Sequence, residues 1–461
     1  MKYPLLIIGG GLSGIAAGIR FSRYCPDVLI LEKHSRVGGL NSYYYRDKRI
    51  LETGLHAVTN YAEVKDKHAP LNRLFRQLKL SRKDFKLHPQ LSSEIYFENQ
   101  NSLIFSNDFD ILKSEIQSKF RKQFDGFMAL VQDIDSYDPF LSRPFISAKE
   151  FVHSRVKDTL LTNMLLCPLM YYGSAVENDL DLGQFVIMFR SIFMEGMFRP
   201  AGTMREFLQM LTTQYVNFGG KLQRRNEVVK ILKNKDTVYG VELKNGETIE
   251  CSNILSTIGY EETLKLLGED IPSSTLKRLG FVENIFLTEK IEENQNSTDK
   301  TIIFYNTADK FTYKRPDTFI DFQSGVICFP NNFAGRPSQE YKEIRSTHLA
   351  NYYHWEDLEG SKHEYSAKKM ELADQSKEVI EKIIGSFRDK VVFTDSFTPL
   401  TIKRFTAKKE GAIYGSPKKI KDGKIGYTNL FLAGTDQGFL GIVGSMLSGV
   451  SITNQHILPK I

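Results

Sequence analysis

Six residues near the start of the chain, Gly9-Gly10-Gly11-Leu12-Ser13-Gly14, satisfy the pattern G-x-G-x-x-G. That pattern suits a diphosphate. Gly9 permits a tight turn, and Gly11 lets the backbone approach the anion, because a Cβ there would collide with it. Gly14 and Gly18 allow a helix to pack closely on a strand. The helix start then aims its free N–H groups at the phosphates. Glu32 follows eighteen residues after Gly14, where a carboxylate accepts hydrogen bonds from a ribose hydroxyl. A glycine-rich loop by itself is often only a turn. Here it leaves an apolar run (Leu5–Ile8), opens a helix (Ile15–Phe21) and finds its acid at the end of a second apolar run (Val28–Leu31), which is a βαβ opening.

The first motif does not separate NAD from FAD, since both contain ADP. Arg36-Val37-Gly38-Gly39 comes directly after Glu32. Flavoproteins of the two-dinucleotide-type fold use such a second glycine pair to bring backbone to the pyrophosphate, and NAD enzymes do not need it. The closing segment NLFLAGTDQGFLGIVGSMLSG supplies a strand, Gly434, Asp436 and a glycine-spaced helix start at Gly441 and Gly444. This suits a carboxylate on the ribityl chain and helix N–H groups near the flavin pyrimidine. The plainer reading is one more core strand and helix. The expected cofactor is non-covalent FAD, as the segment Gly434–Gly444 contains no Cys.

The elements that must position these residues are interrupted along the chain. Residues 80–190 lose the βαβ rhythm and mix polar stretches with helical segments. Phe207, Leu211 and Tyr215 give one apolar helix face, stopped by Gly219-Gly220. Val238–Leu243, Asn245-Gly246 and Thr248–Ile254 read as a hairpin, and Ile254–Thr257 as another buried strand. The runs NIFLTEKI, TIIFYN, TFIDF and GVICF are β-rich. A helix is expected over Ser366–Ser386, a strand over Leu430–Ala433 and a last helix over Gly444–Ile457. The fold class is therefore α/β: a discontinuous Rossmann-type FAD-binding domain (1–75, 195–265 and 395–461) with an inserted mixed α+β substrate domain (76–194 and 266–394).

Composition excludes several classes. The 461 residues are 41% apolar and 25% charged, with a net charge of +6, which fits an ordinary folded chain and does not demand nucleic acid. Four scattered cysteines, Cys25, Cys167, Cys251 and Cys328, read as apolar thiols in a reducing cytoplasm, with no metal site. The apolar start is too short for a signal peptide. No run of eighteen apolar residues occurs, so a spanning helix is not expected.

Together, GGGLSGIAAG, EKHSRVGG, FRPAGTMREFLQML…FGGKLQ…VVKIL and the closing motif resemble the phytoene desaturase-type flavoproteins, and within them the carotenoid isomerase and retinol saturase branch. LETGLHAVTN and TPLTIKRFTAKKEGAIYG are similar to two further segments of that branch. The resemblance is densest in the flavin-binding parts and weakest over residues 60–190. It implies that Gly9, Gly11, Gly14, Glu32, Gly38, Gly39, Gly54, Val228, Gly434 and Asp436 contact FAD. It places the Val228 backbone at adenine and His56 near the flavin as the candidate catalytic residue; a packed structural histidine is the plainer reading. The chain departs from the pattern at Leu40, where Arg is frequent, at Glu52, where Asp is usual, and around Gln437–Leu440.

A flavin moves a hydride or electron pair to or from carbon at N5, and the protein supplies position and exclusion of water. The resemblance implies work on the carbon–carbon bonds of a long apolar polyene or isoprenoid, by desaturation, saturation or isomerisation. An amine or porphyrinogen oxidase and a non-catalytic FAD-binding subunit remain as alternatives. Leu160–Phe198 is either a tunnel for the substrate or plain core. The run Lys408–Lys424 holds six lysines and is either a solvated loop or a peripheral contact with anionic headgroups on an inner membrane face. The electron donor or acceptor is not legible.

Overall fold

The computed structural model describes residues 2–54, 56–98, 101–141, 143–272, 276–289 and 299–461. Two seven-stranded sheets organise it. The first begins with the two apolar runs, Tyr3–Ile8 and Val28–Glu32, paired in parallel. Lys221–Arg224 extends the sheet beyond Val28–Glu32, and Thr248–Ser256 lies on the other side of Tyr3–Ile8, both in parallel. Strands buried on both faces need no polar alternation, which is why these runs are so uniformly apolar.

Thr248–Ser256 is one continuous strand, where the sequence suggested a hairpin arm followed by a separate strand. Its two halves have different neighbours. The first half alternates exposed and buried residues and pairs antiparallel with Thr237–Leu243. The second half is buried between Tyr3–Ile8 and the late strand Leu430–Leu432. A change of surroundings, not a break in the chain, changes the pattern.

Three helices cover one face of this sheet: Leu12–Ser22, Met204–Asn217 and Gly441–Ile452. They are spaced by glycines. A Cβ at Gly18 would lie 2.8 Å from the Tyr215 ring, and one at Gly449 only 2.0 Å from the Ser13 carbonyl oxygen. The last helix starts at Gly441, one turn earlier than expected.

The second sheet runs in the order Val391–Phe397, Gly280–Thr288, Lys342–Ala350, Ser324–Cys328, Lys300–Asn306, Ser92–Phe97 and Ser102–Phe105. The last two strands fall in the stretch without sequence rhythm; they are short and half-buried. Five helices between Phe109 and Phe189 cover one face, and Lys362–Ile384 covers the other. That helix begins four residues before Ser366 because Ser361 caps it, its hydroxyl accepting from the Glu364 N–H. TFIDF is not a strand: only Ile320 makes an isolated bridge, to Ala350. The last two residues of NIFLTEKI lie outside the described residues. No helix among the described residues is long and apolar enough to cross a membrane.

The Gly449 crossing carries a direct expectation. Gly449→Val places a branched side chain where the Ser13 backbone already sits, and overpacking of this kind costs about 1–3 kcal/mol. The urea midpoint should fall accordingly. An unchanged midpoint would mean that the two helices do not meet there.

Candidate cofactor and active site

The Tyr3–Ile8 strand ends in Gly9, whose φ of +103° is costly for any residue with a Cβ. The turn feeds straight into the Leu12–Ser22 helix. Its N-cap, Gly11, offers no side-chain cap, so the first helical N–H groups stay available to an anion. A Cβ at Gly14 would lie 2.2 Å from the Gly9 carbonyl oxygen, whereas one at Gly11 would meet nothing within 4 Å. The two glycines therefore have different tasks. Gly14 is bare so that the helix can pack; Gly11 is bare towards open space.

That space is a cavity of about 2020 Å³, larger than the roughly 300–1,000 Å³ of an ordinary small-molecule site. Gly9, Gly11, Glu32, Gly38, Gly39, Gly54, His56, Val228 and Gly434 all line it. Gly39 approaches the Gly11 backbone, a Cβ on Gly39 being 3.6 Å from the Gly11 Cα. Glu32 is buried, with one carboxylate oxygen accepting from Gly10 N–H and the other from His34 N–H, each at 2.8 Å. Each oxygen keeps a further lone pair. The uncapped helix start, the bare Gly11 and Gly39 backbone and the carboxylate at the end of the second strand are what a dinucleotide requires.

Gly14 and Asp436 lie outside the cavity lining. The sequence expectation sets Asp436 at a ribityl chain; its carboxylate faces away from the cavity. Its side chain is 2% exposed and turned inward. One oxygen accepts from Tyr260 N–H at 2.7 Å, the other from Ser416 N–H at 2.8 Å, and the Lys408 ammonium stands 3.7 Å away. Burial would raise its pKa, but Lys408, Lys419 and the two N–H donors hold it below the usual carboxylate range.

The run Lys408–Lys424 divides: Lys409, Lys418 and Lys424 are exposed, while Lys408, Lys419 and Lys421 are drawn inward. Lys408 is buried, and burial pushes the Lys419 ammonium down to about 8. Lys419 donates to the Tyr414 and Thr435 carbonyls. Lys409 pairs with Glu261 and Lys421 with Asp181. Half of the run thus packs behind Asp436 and half faces outward. Leu160–Phe198 divides similarly: most of it is core, while Tyr171, Tyr172 and Met188 reach the cavity.

Sequence reasoning missed a buried ionic cluster behind His56. Arg345, 1% exposed, pairs with Glu283 at 2.8 Å and with Glu343, and donates to the Glu52 carbonyl at 3.0 Å. Arg199 pairs with the Glu52 carboxylate and donates to the His56 carbonyl at 3.1 Å. The other Glu52 oxygen accepts from Met204 N–H at the start of a helix. His56 Nε2 lies 3.2 Å from Glu283 Oε2 and 3.4 Å from the Thr347 hydroxyl. Two signals were available: Arg199 stands in the FRPAG motif, and Glu52 had been noted only as a departure.

Burial alone would raise the Glu283 carboxyl, but His56 and Arg345 outweigh it and hold it at about 2, against an ordinary 4.5. The unfolded chain therefore binds a proton at Glu283 where the folded chain does not. The resulting stability is full above about pH 4.5 and is lost as the pH falls towards 2. Glu283→Gln should lower the melting temperature at neutral pH and flatten the loss between pH 4.5 and 2. An unchanged acid slope would contradict the assignment.

Residues 12–284 match the family described as flavin containing amine oxidoreductase. The chain is similar to prolycopene isomerase 2 of an Oncidium hybrid cultivar, with 22% identity, 92% of this chain and 77% of the relative being covered. It is also similar to the all-trans-retinol 13,14-reductase of Danio rerio, with 21% identity over 98% of this chain and 86% of the relative. Its fold matches the crystal structure of an oxidoreductase from Methanosarcina mazei at a TM-score of 0.69 and 16% identity, covering 99% of this chain and all of the other. The match spans more than half of the chain and includes the cavity's first helix and Glu283, so the chain belongs to the flavin-containing amine oxidoreductases and is an FAD-dependent oxidoreductase.

Proposed function

We propose that this protein transfers electrons between FAD and the carbon–carbon bonds of a long apolar polyene or isoprenoid. One observation carries the reading. The cavity that holds the glycine and Glu32 cradle is also lined by Gly54, His56 and an aromatic arm of Tyr171, Tyr172, Phe281, Ile413, Tyr414 and Leu440, in which the Phe281 ring contacts those of Tyr171 and Tyr414. The Tyr171 hydroxyl is already satisfied by Ser324 at 2.8 Å, and the Tyr414 hydroxyl donates to the Tyr171 carbonyl. With these two hydroxyls bonded within the protein, and only the Tyr172 hydroxyl of the three phenols buried without a partner, the wall offers mainly ring surface, which suits an apolar ligand. The relatives named for prolycopene and retinol act on substrates of that kind.

In this reading Glu32 holds the ribose, Gly11, Gly38 and Gly39 admit the pyrophosphate, the Val228 backbone meets adenine, and Gly54 and Gly434 flank the flavin. Bound FAD supplies two-electron transfer at its N5 atom. The aromatic arm excludes water and orients the chain of the substrate. His56 lines the cavity with its ring fixed by Glu283 at Nε2 and its backbone by Arg199 through the carbonyl, so it would orient what binds beside it. None of the four cysteines lines the cavity, which supports non-covalent attachment.

Two measurements test the reading. Gly11→Val should lose most FAD, because the branched side chain fills the phosphate approach; near-stoichiometric FAD in the folded variant would overturn the placement. The FAD-loaded protein should react anaerobically with a polyene such as all-trans-retinol or a cis-carotene, altering either flavin absorbance or the polyene's geometry. Reduction of the flavin by benzylamine, with both polyenes inert, would make it an amine oxidase.

A further inference from the structure

One polar stretch of the cavity wall, open to solvent at Arg46, is a mouth that the cofactor reading leaves unused. The hairpin Tyr43–Arg46/Arg49–Glu52, the strand Val391–Phe397 and the first turns of Lys362–Ile384 frame it. At its centre Asp395 is 7% exposed. Its Oδ2 accepts from the Tyr44 hydroxyl at 2.8 Å. Its Oδ1 is shared by two cations, Arg46 Nη1 at 3.4 Å and Lys369 Nζ at 3.6 Å. All four residues line the cavity.

Two cations facing one carboxylate oxygen make this patch locally positive, with the Lys369 ammonium also 5.8 Å from the centre of the Tyr365 ring. Neither is close enough for a short charge-assisted bond, which spans about 2.7–2.9 Å, so each retains donors. Like charges brought together repel, and an anion between them would relieve the repulsion. Burial lowers the Lys369 pKa; Asp395 opposes this, and Arg46 adds to the depression. The Tyr44 phenol stays protonated, since burial and the Asp395 carboxylate both raise it.

We infer that this mouth binds an oxyanion, and that the substrate is an amphiphile whose anionic head, a phosphate or carboxylate, rests on Arg46 and Lys369 while its apolar chain lies in the aromatic arm. The second half of this inference rests on the apolar reading proposed above; the anion subsite stands independently. Arg46 is the more exposed cation, its side chain 56% exposed against 19% for Lys369. An incoming head group therefore meets Arg46 first and Lys369 further in.

The test uses FAD-loaded protein and three probes below their aggregation concentrations: farnesyl phosphate, farnesol and inorganic phosphate. Binding is followed by flavin absorbance and by calorimetry. Wild type should prefer farnesyl phosphate over farnesol by at least roughly tenfold, the scale of a hydrogen bond to a charged group. Arg46→Gln/Lys369→Gln should abolish that preference while FAD content and farnesol affinity stay unchanged. Equal binding of the two farnesyl probes by wild type would overturn the anion subsite and leave the apolar reading standing. A double variant that keeps the preference would overturn the residues assigned. Inorganic phosphate binding as tightly as farnesyl phosphate, with farnesol not binding, would keep the subsite and overturn the amphiphile together with the apolar arm.

Discussion

Two buried guanidiniums, Arg199 and Arg345, hold His56 and Glu52 by their carbonyls, and the position of the candidate site depends on that clamp. Arg345 belongs to the second sheet, whereas Glu52 extends from the cofactor side. The clamp therefore also joins the two halves of the cavity. Charges buried this deeply are costly unless every one is paired. Glu52, Glu283 and Glu343 supply the pairs, so removing one partner strands another. Such a cluster is a poor source of net stability and a strong source of fixed geometry: it sets where Gly54 and His56 stand relative to the aromatic arm.

The cofactor cradle is built by the opposite means, through missing side chains. Gly14, Gly18 and Gly449 let backbone approach backbone or ring at distances that a Cβ forbids. That packing brings the uncapped helix start to the edge of the first sheet, where Gly11 and Gly39 leave room. Asp436 contributes from behind. By holding Tyr260 and Ser416 N–H and neutralising Lys408, it ties the closing segment to the first sheet while Gly434 faces the cavity.

The cradle was legible because its chemistry is local. A turn that needs positive φ, a helix start that needs no side chain and an acid at a strand end all lie within 32 residues of the N-terminus. The flavoprotein family and fold class followed from those motifs. The His56 environment was not legible, because Glu283 and Arg345 approach it from strands more than two hundred residues away. Burial misled in one direction. Of the six lysines in Lys408–Lys424, Lys409, Lys418 and Lys424 are on the surface, while Asp436, Asp181 and two backbone carbonyls draw Lys408, Lys421 and Lys419 inward. Asp436 stands out in the sequence at a strand exit, but the way its carboxylate turns depends on Tyr260 and Ser416, and no spacing in the sequence encodes that.

The most direct measurement is a crystal structure of the protein with FAD bound. The account predicts the ribose on Glu32, the pyrophosphate between Gly11 and Gly39, and the flavin ring beside Gly54 and His56. The arm between Tyr171, Phe281 and Tyr414 should remain free for a second molecule. A flavin ring that fills that arm, or a ribose held away from Glu32, would contradict it.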